Sequence, residues 1–213
     1  MLMKYSSLSK DGKYSIEGDP QMIYVVLLEG RIGILKFSGY NLSKALTIAV
    51  RYAIVRTQFK DKAGTDKERQ IIDYQTHQNR LFPLIAQSIA MLFTANELDL
   101  LVAKMTQQVK EGNTSLVKEV HGIISGLKAF YTWMAVEGME VARQCCGGAG
   151  FSLHAGIAHL VQDYTPYVTL EGDNTVMALQ SARALVKDMK SVLKGDKLTG
   201  YTSYLGNAET LIK

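Results

Sequence analysis

One carboxylate, Glu171, draws attention because of the residues that surround it. It follows an apolar run ending at Leu170, which we expect to be extended, and it precedes Gly172. Asp173 and Asn174 come next, and both residue types favour helix caps. The pattern predicts a short loop that brings Glu171 to the start of a helix. Apolar neighbours disfavour the ionised form of a carboxylate, which suits it to act as a general base. The spacing alone leaves open a plain surface glutamate beside a helix cap.

A second stretch, residues 144–151, is rich in glycine. Gly147, Gly148 and Gly150 fall within four positions after a predicted helix and leave a run of backbone N–H groups uncovered. A flat or anionic ligand can lie against such a loop. Because a helix precedes the glycines, the stretch is not the strand–glycine-loop–helix fingerprint of dinucleotide-binding folds. A helix C-cap also explains one or two of the glycines.

Helical periodicity accounts for most of the chain and sets where these residues must lie. Apolar stripes at helical spacing predict four long helices, over residues 20–58, 66–109, 116–145 and 174–193. Short polar connections make the fold class all-α, an antiparallel four-helix bundle. We expect the first helix to bend or break near Gly39 and the second to kink at Pro83. The aromatic residues Phe130, Tyr131 and Trp133 are expected in the core.

The chain ends divide from this bundle by composition. Residues 1–19 predict a short β hairpin around Asp11-Gly12, and residues 194–213 are typical of a linker or tail. The bundle domain is therefore expected over residues 20–193. We expect strand only in the first ~20 residues.

Composition excludes several classes of function. The net charge of +4 comes without a basic block, which argues against a nucleic-acid platform. No apolar run reaches about 18 residues, so no membrane span is expected. The only two cysteines are adjacent, and neither they nor the four histidines have metal-ligand spacing. We expect no metal site and a reducing compartment.

Three stretches together resemble a known family in their order and spacing. They are Val55-Arg-Thr-Gln-Phe59, residues 144–151, and Thr165-Pro-Tyr-Val-Thr-Leu-Glu-Gly-Asp-Asn-Thr-Val-Met177. The chain from about Pro20 to Leu193 resembles the C-terminal helical domain of acyl-CoA oxidases and the related acyl-CoA dehydrogenases. Residues 74–83 and 126–133 are more similar to the oxidase branch.

The resemblance implies a role for each of these stretches. It makes Glu171 the base that removes the α-proton of an acyl-CoA while FAD accepts the β-hydrogen as hydride. It also implies contacts with the cofactor. Arg56 is expected to bind the pyrophosphate of FAD, and the glycine loop is expected to contact the adenosine end of an FAD held by the neighbouring subunit. The implied cofactor-binding residues are Arg56, Gln58, Phe59, Gln144, Gly147, Gly148, Gly150, Gly172, Asp173 and Asn174. Taken alone, Arg56 is typical of a solvated surface arginine.

Two residues depart from the family pattern. Lys60 stands where the dehydrogenases usually have glycine, which leaves the path of that loop open. Leu170 stands where oxidases often have phenylalanine, a change in bulk that we expect to affect substrate fit more than chemistry.

The implied function is an FAD-dependent acyl-CoA oxidase that forms trans-2-enoyl-CoA and hydrogen peroxide in fatty-acid β-oxidation. The family's β domain has no counterpart here, so we expect a fragment or truncated product that pairs as a homodimer or with another chain. The expected compartment is the peroxisome, with the mitochondrion as alternative. An acyl-CoA dehydrogenase and a non-catalytic structural or assembly subunit are the alternative functions.

Overall fold

Long helices dominate the computed structural model, which describes residues 6–16, 21–60 and 66–208. The helices are α1 (Gln21–Val55), α2 (Gln75–Lys110), α3 (Ser115–Cys145), α4 (Ile157–Tyr164) and α5 (Asn174–Leu193). The strands are β1 (Ser6–Leu8), β2 (Tyr14–Ile16), β3 (Thr57–Lys60) and β4 (Glu68–Gln70). Short 3-10 helices occupy residues 71–73, 147–151, 153–155, 165–168 and 200–207. The predicted all-α fold class is confirmed.

The four long helices pack with alternating directions. Lys36 on α1 pairs with Asp99 on α2 at 2.8 Å, while Gly39 further along α1 lies against Leu92 earlier in α2. These two contacts make α1 and α2 antiparallel. α3 packs against α1, α2 and α5, and thus holds the bundle together. Buried side chains from α1, α2 and α3 form one continuous hydrophobic core.

The expected bend or break near Gly39 is not a break, because α1 continues as one helix to Val55. A Cβ on Gly39 would lie 2.8 Å from Leu92 Cγ. Glycine therefore serves close packing of α1 on α2, and this contact offsets its low helix propensity. α2 likewise continues through Pro83.

Strand was expected only in the first ~20 residues, and this was wrong. The chain leaves α1 at Val55, and β3 pairs antiparallel with β4, with Thr57 opposite Gln70. The predicted helix start near Asp66 was also wrong, because α2 begins at Gln75. The residues of β4 favour helix locally, but pairing with β3 decides their conformation. The first hairpin is present, with Ser6 opposite Ile16.

The helix and the 3-10 segment that lead to Glu171 were both missed. α4 precedes the Glu171 loop and buries Ile157 and Tyr164. The apolar run expected to be extended forms a 3-10 helix at residues 165–168 instead. Pro166 at its start has a fixed φ that suits the first helical turn. Tyr164 donates to or accepts from Ser38 on α1 at 2.6 Å, which anchors this region to the bundle.

Two aromatic side chains expected in the core lie at the surface. Tyr131 is buried, whereas Phe130 is 55% exposed and Trp133 is 43% exposed. Both lie off the buried stripe of α3. Met91, Met105 and Met139, in contrast, are buried.

α2 is the one helix in the described ranges that is long and apolar enough to cross a membrane by length and composition. Core helices of soluble proteins meet the same criterion, so the observation is weak evidence for a span. Within the same ranges no group of three or more metal-ligating side chains comes together.

Candidate functional site

Glu171 lies in a tight turn between the 3-10 helix at residues 165–168 and α5. Its backbone adopts the left-handed conformation, with φ of 54°, and Gly172 follows with φ of 106°. Asp173 caps α5, because its Oδ1 accepts from the backbone N of Thr175 at 2.9 Å. The predicted loop before a capped helix is therefore present. The Glu171 carboxylate lies beside Gly30 on α1, where a Cβ would be 3.4 Å from Glu171 Cδ.

The expected apolar surroundings of Glu171 are not provided by this chain. The Glu171 side chain is exposed, and Leu170 is 50% exposed. Its carboxylate oxygens accept no hydrogen bond from any residue that the structure describes. The carboxylate is therefore open to a ligand, and two cations, Arg31 and Lys128, contact the backbone of the turn.

Arg31 on α1 is the first of these cations. It is 5% exposed, and its Nε donates to the backbone oxygen of Glu171 at 2.9 Å. Its Nη1 is buried and has no hydrogen-bond partner among the described residues. Burial lowers the pKa of Arg31, and the charge of Glu171 acts in the opposite direction.

Lys128 on α3 is the second cation, and its side chain is completely buried. Its Nζ donates to the backbone oxygen of Gly172 at 2.7 Å and to Asn174 Oδ1 at 2.8 Å. Burial lowers the pKa of Lys128 to about 8, and Arg31 adds to that effect. The carboxylates of Asp173 and Glu171 act against it.

The side chain of Asn174 is buried and is not accessible to a ligand. It is 2% exposed, and its Nδ2 donates to Thr132 Oγ1 at 2.8 Å and to Ala129 O at 3.3 Å. With Lys128 on its oxygen, every polar atom of the side chain is used within the protein. Asn174 therefore positions the start of α5, and Glu171 and Asp173 are exposed side chains of the turn.

Sequence reasoning missed Arg31 and Lys128, which lie 140 and 44 residues from their acceptors in the turn. A usable signal was present in the helical spacing. Lys128 interrupts the apolar stripe of α3 between Ile124 and Tyr131, and a charged residue at a core position is unusual.

A separate cleft of about 490 Å³ brings together most of the other predicted site residues. Arg56, Gln58, Phe59, Gln144, Gly147 and Gly148 all line it, together with Arg80 and Tyr74. Gln58 was expected at the end of the first helix, and it lies instead on β3, together with Phe59. The strand pair thus forms one wall of the cleft and the glycine loop forms another.

Side-chain contacts fix two amides on the walls of the cleft. Arg56 Nη2 donates to Gln58 Oε1 at 2.9 Å. Gln144 Oε1 accepts from Arg80 Nη2 at 3.1 Å, while its Nε2 donates to Glu140 Oε1 at 3.0 Å. Two exposed arginines and an exposed Phe59 suit an anionic ligand with flat rings.

The three glycines of the loop differ in what they do. Gly147 has φ of 56°, and a Cβ on Gly147 or Gly148 would meet nothing within 4 Å. Both face open space on the cleft. A Cβ on Gly150 would instead clash with the backbone oxygen of Arg143. Gly150 therefore serves packing of the loop on the end of α3, and it does not line the cleft.

Two buried thiols lie beneath the glycine loop. Cys145 and Cys146 are free, and burial raises the pKa of both, that of Cys146 to about 11. A protonated buried thiol is a poor nucleophile and metal ligand. The cysteines act as packing for the cleft.

The Glu171 turn and the cleft lie far apart along α1. Gly30 contacts Glu171, and Arg56 follows directly on Val55, where the same helix ends. Twenty-five residues of continuous helix at a rise of 1.5 Å separate Gly30 from Val55, which is about 38 Å. The chain therefore carries two distinct half-sites.

Known proteins similar to this chain share one description. A profile of the family "Acyl-CoA oxidase, C-alpha1 domain" matches residues 24–186. Rat peroxisomal acyl-coenzyme A oxidase 1 is 39% identical over 207 residues, covering 97% of this chain and 31% of the rat protein. The solved structure of Arabidopsis thaliana acyl-CoA oxidase 1 superposes with a TM-score of 0.93 at 36% identity, covering 100% of this chain and 32% of that one.

A further solved structure is described with bound ligands. Acyl-CoA oxidase-2 of Caenorhabditis elegans, bound with FAD, ascaroside-CoA and ATP, matches with a TM-score of 0.88 at 35% identity, covering 96% of this chain and 31% of that one. The chain thus spans about a third of the length of the relatives it matches.

Proposed function

This chain belongs to the acyl-CoA oxidase family, and from that premise we propose that it forms the helical part of an FAD-dependent acyl-CoA oxidase. The proposed reaction is the α,β-desaturation of an acyl-CoA to a trans-2-enoyl-CoA, with electrons passed to oxygen to give hydrogen peroxide. The observation that carries it is the Glu171 turn, in which a backbone held by two buried cations presents an unpaired carboxylate. The proposed compartment is the peroxisome, which the rat relative's name states for that protein.

In the proposed reaction Glu171 removes the α-proton of the thioester. The carboxylate is exposed and free of hydrogen bonds from the described residues, so its lone pairs are available to a substrate. A bound flavin supplies the acceptor for the β-hydrogen and the route to oxygen. Gly172, with φ of 106°, lets the turn bring the carboxylate forward without a side chain beside it.

The cleft is the proposed binding region for the pyrophosphate and adenosine parts of FAD. Arg56 and Arg80 supply guanidinium donors for phosphate oxygens, and Gly147 and Gly148 leave backbone N–H groups uncovered. Phe59, 70% exposed, offers a flat apolar surface. These groups fit an anionic dinucleotide.

The separation of the two half-sites supports a pair of chains. One FAD is shorter than the roughly 38 Å between Gly30 and Val55, so it cannot bridge both half-sites of one chain. We therefore propose a homodimer in which the cleft of one copy and the Glu171 turn of the other serve the same FAD. The exposed Phe130 and Trp133 provide apolar surface of the kind that interfaces use.

The test uses the complete polypeptide that contains this chain, or a chimera in which the chain replaces the matching third of Arabidopsis acyl-CoA oxidase 1. The protein is loaded with FAD and mixed anaerobically with a saturated acyl-CoA. We expect the visible absorbance of the oxidised flavin to bleach. On admission of air, hydrogen peroxide and enoyl-CoA should form in equal amounts.

Other outcomes assign the alternatives. Bleaching that only an artificial electron acceptor reverses would indicate a dehydrogenase. A protein that binds FAD without bleaching, or binds none, would indicate a structural subunit and overturn the proposed function.

A further inference from the structure

Three residues of the Glu171 turn are held by side chains from the bundle core. Arg31 donates to the backbone oxygen of Glu171, and Lys128 donates to that of Gly172. Lys128 also bonds Asn174, the first residue of α5. The turn is therefore fixed from α1 on one side and α3 on the other.

This turn needs such support, because its backbone is not intrinsically favoured. Glu171 has φ of 54°, a left-handed conformation that is unfavourable for a residue with a side chain. Conformations of this kind persist only where contacts with the surrounding structure hold them in place. Without the donors, other conformations of the turn become competitive, and they aim the carboxylate elsewhere.

Stability alone does not account for a lysine at position 128. The side chain is completely buried, and its two acceptors are a neutral carbonyl and a neutral amide. Desolvation of a buried ion is strongly unfavourable, and neutral acceptors offset it only in part. Methionine would fill the same place on the stripe between Ile124 and Tyr131 at lower cost. A lysine at this position is thus less favourable for the stability of the fold than an apolar side chain of similar size.

We propose that Lys128 is a positioning residue for the base, whose ammonium holds the Glu171 turn in the conformation that presents the carboxylate. Arg31 is the second holding point, on the opposite side. This inference rests on the proposed function of Glu171. It predicts that the chemistry depends on Lys128 although Lys128 touches neither substrate nor flavin.

The main variant is Lys128→Met in the FAD-loaded complete protein or chimera. We expect the rate of flavin reduction by acyl-CoA to fall about 100-fold, as for a misplacement of about 1 Å at a reacting group. KM for acyl-CoA and affinity for FAD should stay within about threefold of the parent. Deuterium exchange of the backbone amides over residues 170–175 should become faster. Lys128→Arg, which retains a buried cation, should recover part of the lost rate.

Two matched controls separate positioning from core stability. Ser125→Ala changes a buried residue one turn earlier on α3 whose Oγ has no hydrogen-bond partner in the described ranges, and it should leave the rate unchanged. Thr132→Val removes a hydrogen bond to Asn174 and leaves both Lys128 contacts. We expect it to lower the melting temperature and to leave the rate within about threefold.

A double variant keeps the test decisive if Lys128→Met alone does not fold. Lys128→Met with Asn174→Leu removes both partners of a buried hydrogen bond, which restores stability better than removal of one. Gly172 still lacks its donor, so flavin reduction should stay slow.

The proposal is overturned if Lys128→Met or the double variant reduces flavin at the parent rate. It is also overturned if Thr132→Val, at equal loss of stability, is as slow. A normal rate for Glu171→Gln would instead overturn the proposed function itself, which distinguishes the two failures.

Discussion

The Glu171 turn and the cleft around Arg56 are built in different ways. The backbone carbonyls of the turn are held by two buried side chains from remote helices, Arg31 on α1 and Lys128 on α3. The cleft is lined by β3, the glycine loop and the adjoining ends of α2 and α3, and the exposed groups of these segments are themselves the proposed binding surface. A change at the turn should therefore alter chemistry through geometry. A change in the cleft should alter the retention of a ligand.

The largest expected effect separates the two regions directly. Glu171→Gln retains the size of the side chain and removes its basicity. Flavin reduction by acyl-CoA should fall by a factor of about 100 to 10,000, the usual contribution of a positioned base. Flavin affinity, measured by titration, should be unchanged. Flavin reduction at the parent rate would show that the turn does not hold the base.

Arg56→Ala tests the cleft in the opposite sense. It removes a charged donor from the cleft wall, and a hydrogen bond to a charged group is worth about 1.5–3 kcal/mol. We expect FAD to bind about 10- to 100-fold more weakly, with a normal rate of reduction once the flavin is saturating.

Arg51→Ala is the matched control for that experiment, because Arg51 is an exposed arginine on α1 that does not line the cleft. An equal loss of affinity in both variants would mean that Arg56 acts only through net charge. Unchanged affinity in Arg56→Ala would remove the cleft from the FAD site.

Two glycines of the glycine loop should differ in their effect on stability. Gly150→Ala places a Cβ against the backbone oxygen of Arg143, so we expect a loss of about 1–3 kcal/mol in the free energy of unfolding. Gly148→Ala extends into open space and should leave that free energy within about 0.5 kcal/mol. Denaturant unfolding of the two variants measures this difference. Gly148→Ala should weaken FAD binding instead, and equal stability of the two variants would contradict this division of the loop.

The most gradual effect is a pH dependence that belongs to the turn. Burial lowers the pKa of Lys128 from 10.5 to about 8, so between these values the unfolded state binds more protons than the native state. The free energy of unfolding should therefore rise with pH in this window, by at most about 1.4 kcal/mol per pH unit. The charged and titratable groups facing Lys128 are Arg31, Glu171, Asp173 and, beside Arg31, His121.

Lys128→Met should lack this rise, and subtraction of the two unfolding profiles isolates it from other titrating groups. Identical profiles for the variant and the parent would show that the buried ammonium does not titrate in this range. The two buried thiols of the cleft, Cys145 and Cys146, act in the opposite sense, because their raised pKa values make the native state bind more protons than the unfolded state at alkaline pH.

The difference between the regions also explains what the sequence revealed. The stripes of α3 and α5 predicted those helices within a residue, since periodicity over long segments is a strong signal. Glu171 and the glycines were visible because residue type and local order identify them. The strand pair β3–β4 was not, since pairing of distant segments decides it against local helix propensity.

The groups that hold the turn were hidden for the same reason. Arg31 and Lys128 carry no local motif, and only the packing of α1 and α3 brings them to Glu171. Residue types indicate where chemistry takes place. How accurately the reacting groups are placed depends on tertiary packing.

The unbroken helix α1 fixes the distance between the Glu171 turn and the cleft. It joins Gly30, beside Glu171, to Val55, directly before Arg56, as one continuous helix. Insertion of one residue between Gly30 and Val55 would shift everything beyond it by 1.5 Å and rotate it by about 100°. In a two-copy assembly that error would misalign both shared sites at once. Natural length variation is therefore expected outside this helix.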